Sequence, residues 1–209
     1  MGIALPFGPE MMGSGKYLFS GHQVRATIDR SSGNFAQGTP TMNSQQIVDN
    51  IASEACLSLF HDYSLTLQRA DISGDDGARE LVYCAVIGYS SEQMRGTLLL
   101  ATSSEPLGRT APVAGSSLRE WIAELSNQLL GRVKTRLAER GVLLAISTPV
   151  VLRGSHLRPL TTQEVAPLTF VCDGGCVCVW MDAVLSPELD LSQVQTDCQV
   201  MGEGEAMLF

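Results

Sequence analysis

A carboxylate and a carboxamide lie three residues apart in the segment 117–140, at Glu124 and Asn127. If this segment is helical, at about 100° per residue, they share a band of roughly 60° with Glu120 and Gly131. Two such side chains on one stripe can contact the same partner surface, and a glycine beside them lets a partner approach the backbone closely. The solvent face of any amphipathic helix also carries polar residues, so a plain surface is the alternative interpretation.

The same segment has the periodicity of a long helix, and its polar band lies almost opposite the apolar face. Ser117 and Glu120 have the spacing of a capping box, and Gly141 is a typical C-terminal stop. For Glu120 we weight this capping role above a catalytic one. The apolar face consists of Leu118, Trp121, Ile122, Leu125, Leu129, Val133 and Leu137.

The rest of the central region alternates between helical and strand patterns. Residues 44–60 have helical spacing, and a hairpin is expected across the turn at 173–175. The order helix, strands, helix, strands predicts an α+β fold, with two long helices packed on a largely antiparallel sheet in a single domain. The predicted strands are 63–69, 79–89, 94–102, 142–146, 149–152, 168–172 and 176–184.

Both ends of the chain differ from the centre in composition. Residues 1–42 contain seven glycines and three prolines, which predicts a flexible leader. Residues 186–209 carry five acidic residues and no basic one, which predicts a solvated acidic tail. The domain is therefore expected to span residues 43–185.

Charge and hydropathy exclude several classes of protein. A net charge of -8, with 14 scattered basic residues, argues against binding to nucleic acid. No apolar run approaches the roughly 18 residues of a membrane span, and no secretory signal is evident at the N-terminus. We therefore expect a cytoplasmic protein that does not bind membranes, with its six cysteines reduced and mostly buried.

Other candidate sites are weaker. Residues 8–17 resemble a phosphate-binding loop, but the required pattern fails at Glu10 and Tyr17, so nucleotide binding is not expected. The three histidines are far apart in the sequence, so their spacing predicts no catalytic constellation. They are His22, His61 and His156.

Three cysteines cluster at the predicted hairpin. Cys172, Cys176 and Cys178 are one ligand short of the four that structural zinc needs. We therefore favour small apolar core residues over a metal site. A redox-dependent link between Cys172 and Cys176, facing each other across the hairpin, is the alternative.

The segment from Glu120 to Lys134 resembles the signature of the CheC, CheX and FliY chemotaxis phosphatases. In that signature an Asp or Ser is followed by Glu four residues on, Asn three further, and a Gly soon after; here these are Glu120, Glu124, Asn127 and Gly131. Residues 96–102 and 144–154 are also similar to the segments that flank this helix in the family. The resemblance covers roughly residues 44–185, and the chain is identified by it as a CheX-like member.

The resemblance implies a phosphatase for aspartyl-phosphate on CheY-like response-regulator receiver domains. By this resemblance, Asn127 would position the attacking water and Glu124 would contact a receiver lysine. The receiver would bind Mg²⁺, and this chain would need no cofactor. Glu54 is followed three residues later by Leu57 rather than Asn, so the first helix lacks a second site. The one-site CheX type implies a homodimer.

Two features leave other functions open. Glu120 stands where the family has Asp or Ser, so a non-catalytic scaffold that binds a receiver or adaptor through the same helix is the alternative. The acidic tail could itself be a docking peptide. Because a negatively charged protein is not steered toward an acidic receiver pocket, Arg119 and Lys134 are the candidate groups for local attraction.

Overall fold

One antiparallel sheet and three helices form the described part of this computed structural model, which covers residues 43–70, 81–112, 117–155, 157, 161 and 165–193. These residues all belong to one unit spanning residues 39–209. The helices are α1 (Ser44–Asp62), α2 (Ser104–Thr110) and α3 (Leu118–Ala138). The strands are β1 (Gln68–Arg69), β2 (Tyr83–Ser90), β3 (Met94–Thr102), β4 (Ala145–Ile146), β5 (Val150–Arg153), β6 (Leu168–Cys172) and β7 (Gly175–Leu185).

The sheet has the order β1-β6-β7-β3-β2-β4, and β5 also pairs with β2. Each of these pairings is antiparallel. The predicted α+β architecture, with its antiparallel sheet, is therefore confirmed. The predicted leader and the tail beyond residue 193 lie outside the described residues, and the division into leader, domain and tail stays a prediction.

The main core lies between one face of the sheet and helices α1 and α3. Its largest fully buried side chains include Phe60 of α1, Phe170 of β6 and Leu129 of α3. Full burial of one such side chain stabilises the fold by about 1.5–3 kcal/mol, so this interface dominates the energetics. A second, smaller cluster, which includes Leu99 and Trp180, lies on the other face of the sheet.

The ends of the two long helices follow the capping chemistry of the sequence. Asn43 and Gln46 form a complete capping box at the start of α1. At the start of α3, the Ser117 hydroxyl accepts from the Glu120 backbone N–H at 3.5 Å. Among the described residues, no return bond joins the Glu120 carboxylate to Ser117, so the capping box predicted here is only half formed. Gly141, at φ +80°, ends the helix as predicted.

Two predicted strands are much shorter in the structure, because local turns interrupt them. Tyr63 caps α1 instead of starting a strand, and Ser64 follows it with a φ of +59°. Only Gln68–Arg69 of the predicted strand 63–69 pairs with β6. Similarly, Ala145–Ile146 is all that pairs within 142–146.

Helix α2 was not predicted, because its sequence contains Pro106 and Gly108. A proline in the first turn is tolerated there, since the first N–H groups of a helix have no partner within it.

Residues 186–193 also differ from the predicted solvated tail. Leu189 and Leu191 are buried, and the Arg140 guanidinium donates to the Leu191 carbonyl oxygen at 2.6 Å. The apolar side chains of this acidic stretch pack beside the helices.

The cysteines near the hairpin do not face one another as the alternative interpretation required. Cys172 pairs with Gly175 and packs toward the main core, whereas Cys176 pairs with Val171 and packs against the opposite face of the sheet. The alternative of a redox-dependent link between Cys172 and Cys176 is therefore wrong, because adjacent positions on a strand point to opposite faces. Cys176 and Cys178 share one face, as predicted.

Strands β2, β3 and β7 approach closely at Gly96. A Cβ atom built there would lie 1.9 Å from the Asp182 backbone oxygen and 2.9 Å from the Tyr89 hydroxyl oxygen. The backbone oxygen cannot move without disturbing the pairing of β3 with β7.

We expect Gly96→Ala to lower the free energy of unfolding by about 3 kcal/mol, because the added methyl group overpacks the centre of the sheet. Urea denaturation followed by tryptophan fluorescence measures this change. Gly108→Ala is the matched control, since its Cβ would meet no atom within 4 Å. Equal stability of the two variants would contradict the packing argument.

Candidate functional site

Helix α3 presents to solvent the stripe of residues predicted from its periodicity. Glu120, Glu124, Asn127 and Lys134 are all exposed, and Gly131 is partly exposed. On the opposite side of the helix, Leu125 is among the side chains with no exposed surface. The burial of the apolar side therefore determines which way the stripe points.

Asn127 and Gly131 are both open to an approaching partner. The Asn127 side chain makes no hydrogen bond within the described part of the chain. A Cβ built on Gly131 would meet no atom within 4 Å, so the helix backbone is uncovered at this position. A carboxamide without internal partners keeps both its donor and its acceptor for an external molecule.

Glu124 differs from Asn127 because neighbouring side chains hold it. The Gln128 Nε2 atom donates to Glu124 Oε1 at 2.8 Å, and the Tyr63 hydroxyl donates to Gln128 Oε1 at 2.8 Å. Sequence reasoning missed this arrangement. The spacing of Gln128, four residues after Glu124, was an available signal, whereas nothing in the sequence connects Tyr63 to this helix.

Behind this surface, Trp121 joins the end of α1 to α2. The Tyr63 ring meets the Trp121 ring edge-on, with centroids 5.1 Å apart and an interplanar angle of 86°. The Trp121 Nε1 atom donates to the buried Thr110 Oγ1 at 3.0 Å. The Thr110 hydroxyl in turn donates within α2, to the carbonyl oxygens of Pro106 and Leu107 at 3.1 and 3.0 Å.

The first helix carries no comparable stripe at the position considered in the sequence. Glu54 forms an ion pair with Arg136 at 2.6 Å, and Leu57 packs against the core. A second ion pair, between Asp62 and Arg132 at 2.6 Å, lies further along the same pair of helices. Glu54 is therefore engaged with α3 rather than directed to a partner.

Three buried thiols of the described residues offer little reactivity. Burial raises the pKa of Cys84 to about 11, and it also raises the pKa of Cys56. Hydrogen bonding with Cys176, together with burial, raises the pKa of Cys178. These three thiols therefore stay protonated at neutral pH, and a protonated thiol is a poor nucleophile and metal ligand. No group of three or more His, Cys, Asp or Glu side chains within the described ranges could hold a metal ion.

The α+β fold of this chain, with two long helices on an antiparallel sheet, is similar to that of the CheC and CheX chemotaxis proteins. CheX from Vibrio vulnificus has a similar structure, with a TM-score of 0.58 and 17% identity over 66% of this chain and 99% of that chain. A CheC-like superfamily protein from Shewanella sp. PV-4 gives a TM-score of 0.54 and 17% identity over 67% of this chain and 100% of that one.

CheX from Desulfovibrio desulfuricans is similar as well, with a TM-score of 0.53 and 14% identity over 67% of this chain and 99% of that chain. The CheX-like fold expected from the resemblance is therefore confirmed. No family model matches the sequence, and no curated protein matches it either. Within the described ranges, no helix is long and apolar enough to span a bilayer.

We expect Thr110→Val to lower the free energy of unfolding by about 1–3 kcal/mol, because the Trp121 indole N–H loses its buried acceptor. Chemical denaturation measures the loss. Thr135→Val is the matched control, since the Thr135 hydroxyl only donates to the Gly131 carbonyl oxygen within its own helix. A Thr110 variant as stable as this control would show that the indole bond contributes nothing.

Proposed function

We propose that this chain accelerates the hydrolysis of aspartyl-phosphate on CheY-like response-regulator receiver domains, with α3 as the docking helix. The observation that carries the proposal is the pair of exposed side chains, Glu124 and Asn127, beside an uncovered backbone at Gly131. This arrangement occurs in a chain with the fold of the CheX proteins.

Asn127 is the residue to which we assign the positioning of the attacking water. Its carboxamide oxygen accepts a hydrogen bond from the water and its amino group donates one, so the water can be oriented in line with the phosphorus. The water oxygen forms the new bond to phosphorus as the bond to the aspartate oxygen breaks. The products are inorganic phosphate and the free carboxylate of the receiver. Such a reaction needs mainly positioning and charge neutralisation, so a carboxamide can suffice.

Glu124 is assigned the contact with a receiver lysine. A bond between a carboxylate and an ammonium group is charge-assisted and stronger than a neutral one, so it suits an anchor for docking. The proposal leaves Mg²⁺ with the receiver, where it neutralises the phosphoryl oxygens, and assigns no cofactor to this chain. Glu120 and Gly131 would border the contact, and Lys134 would provide local attraction to an acidic pocket.

A non-catalytic scaffold is the second candidate function. The exposed Glu120 stands where the resembling family has Asp or Ser, and its longer side chain could alter the fit of the partner. Such a scaffold would bind a receiver through α3 without hastening the loss of phosphate.

We expect Asn127→Ala to reduce the acceleration of phosphate release by about 100-fold, because the water loses its orienting group. Phosphate release is measured from a panel of phosphorylated receiver domains with Mg²⁺. Binding is measured separately with receivers that carry a beryllofluoride group in place of the phosphoryl group, and it should change little.

Asn50→Ala is the matched control, since Asn50 is an exposed asparagine on α1. It lies 13 residues from Tyr63, roughly 20 Å along the helix and away from the proposed contact. Equal acceleration by the Asn127 variant and the unmodified chain would remove the water-positioning role. Binding without any acceleration by the unmodified chain would favour the scaffold.

A homodimer is a further part of the proposal. Strand β5 pairs with β2 alone among the described strands, and Val150 and Leu152 on it expose 60% and 48% of their surface. Two such apolar side chains on the last strand of a sheet suit a contact with a second copy.

We expect sedimentation equilibrium to give twice the chain mass of 22.4 kDa, and Leu152→Lys to reduce it to the monomer value, because a charge would be buried unpaired. Leu143→Lys is the control, as Leu143 is 71% exposed but lies outside the strands. A monomer at micromolar concentration would contradict the dimer.

A further inference from the structure

We propose that Tyr63 and Gln128 are positioning residues that hold the Glu124 carboxylate in one orientation for its contact with the receiver. The inference rests on the proposed function, because it deepens the role assigned to Glu124. Neither residue belongs to the stripe predicted from the sequence, and Tyr63 is the C-terminal cap of a different helix.

The chemistry of the three side chains determines how they are oriented. A carboxylate only accepts hydrogen bonds, so the amino group of Gln128 must face Glu124. The carbonyl oxygen of Gln128 must then face Tyr63, whose hydroxyl donates to it at 2.8 Å. Each of the two bonds selects the amide orientation that the other requires. Gln128 therefore cannot turn over without losing both.

Tyr63 is itself fixed at both of its ends. Its backbone N–H donates to the Phe60 carbonyl oxygen at 3.1 Å, at the C-terminal cap of α1. Its ring lies edge-on to Trp121, which is held by the buried Thr110. The series of contacts from Thr110 to Glu124 thus runs from the buried side of the molecule to the docking surface.

One oxygen of Glu124 is left for a partner. Gln128 contacts Oε1, whereas Oε2 makes no hydrogen bond within the described residues. An unsupported glutamate on a helix surface samples several rotamers and must lose that freedom when it binds. Holding the carboxylate in advance removes part of this entropic cost, so we expect the support to increase affinity by about 5-fold.

The arrangement predicts different kinetic effects for the two functional residues. The Asn127 side chain takes no part in the hydrogen bonds of Tyr63 and Gln128, so the water-positioning step should not depend on them. Loss of the support should raise the KM for the phosphorylated receiver and leave kcat nearly unchanged. Loss of Asn127 should instead lower kcat.

The experiment compares Tyr63→Phe and Gln128→Met in the full chain. Tyr63→Phe keeps the ring that meets Trp121, and Gln128→Met keeps the length of the side chain, so both remove hydrogen bonds with little loss of packing. NMR couplings across the Glu124 side chain report its rotamers in the free protein, and KM and kcat are measured with a phosphorylated receiver. Each substitution is also made with Glu124→Ala.

We expect Glu124 to occupy one rotamer in the unmodified chain and several in both variants, with KM rising about 5-fold. In the Glu124→Ala background the same substitutions should leave KM unchanged, because there is no carboxylate to position. Gln45→Met is the matched control. Gln45 donates to the Asp49 carboxylate at 2.9 Å on α1, the same type of pair four residues apart, and its loss should affect neither Glu124 nor KM.

An unchanged Glu124 rotamer in both variants would overturn the inference. So would an equal rise in KM with and without Glu124, which would mean that the two residues act through general structure. If the unmodified chain neither binds nor dephosphorylates any receiver, the proposed function fails instead. The NMR comparison still decides in that case whether Tyr63 and Gln128 position Glu124.

Discussion

The burial of one side of α3 against the sheet is the constraint on which the candidate site depends. The helix packs its apolar face on strands whose inward side chains are equally apolar, and rotation about its own axis would expose that face to water. Every residue on the outer side is thereby directed to solvent at a fixed angle. Ion pairs between α1 and α3, such as Arg132 with Asp62, are partly exposed and contribute little beside this packing.

The support of Glu124 also involves residues of other helices, which the packing of α3 on the sheet does not by itself require. Tyr63 at the end of α1 packs against the Trp121 ring, and Thr110 on α2 accepts a hydrogen bond from the Trp121 indole N–H. Residues from three helices therefore lie behind Glu124. The two polar groups of the stripe are consequently unlike. Glu124 is held by neighbours within the described residues, whereas Asn127 keeps its hydrogen-bonding capacity for an external molecule.

The proposed reaction requires no reactive nucleophile or metal ligand from the candidate site. Burial raises the pKa values of Cys56 and Cys84, so these thiols are poor nucleophiles. Of the three cysteines favoured from the sequence as core residues, Cys178 is buried, whereas Cys172 and Cys176 are only partly buried. A helix that supplies a carboxamide and a carboxylate to a partner needs the partner to supply the metal ion and the reacting acyl phosphate. Under the proposed function, α3 therefore needs to supply neither a nucleophile nor a metal site.

Sequence alone determined the two long helices, the β3 and β6 strands and the outward stripe with Glu124 and Asn127. These depend on local periodicity and on caps such as Gly141, which neighbouring residues specify. Tertiary structure alone decided which distant groups meet. Tyr63 lies 65 residues from Gln128, and both α2 and the buried Leu191 belong to segments whose local composition indicates loops. Such contacts depend on the packing of separate elements on one sheet, which the pattern within any single segment does not contain.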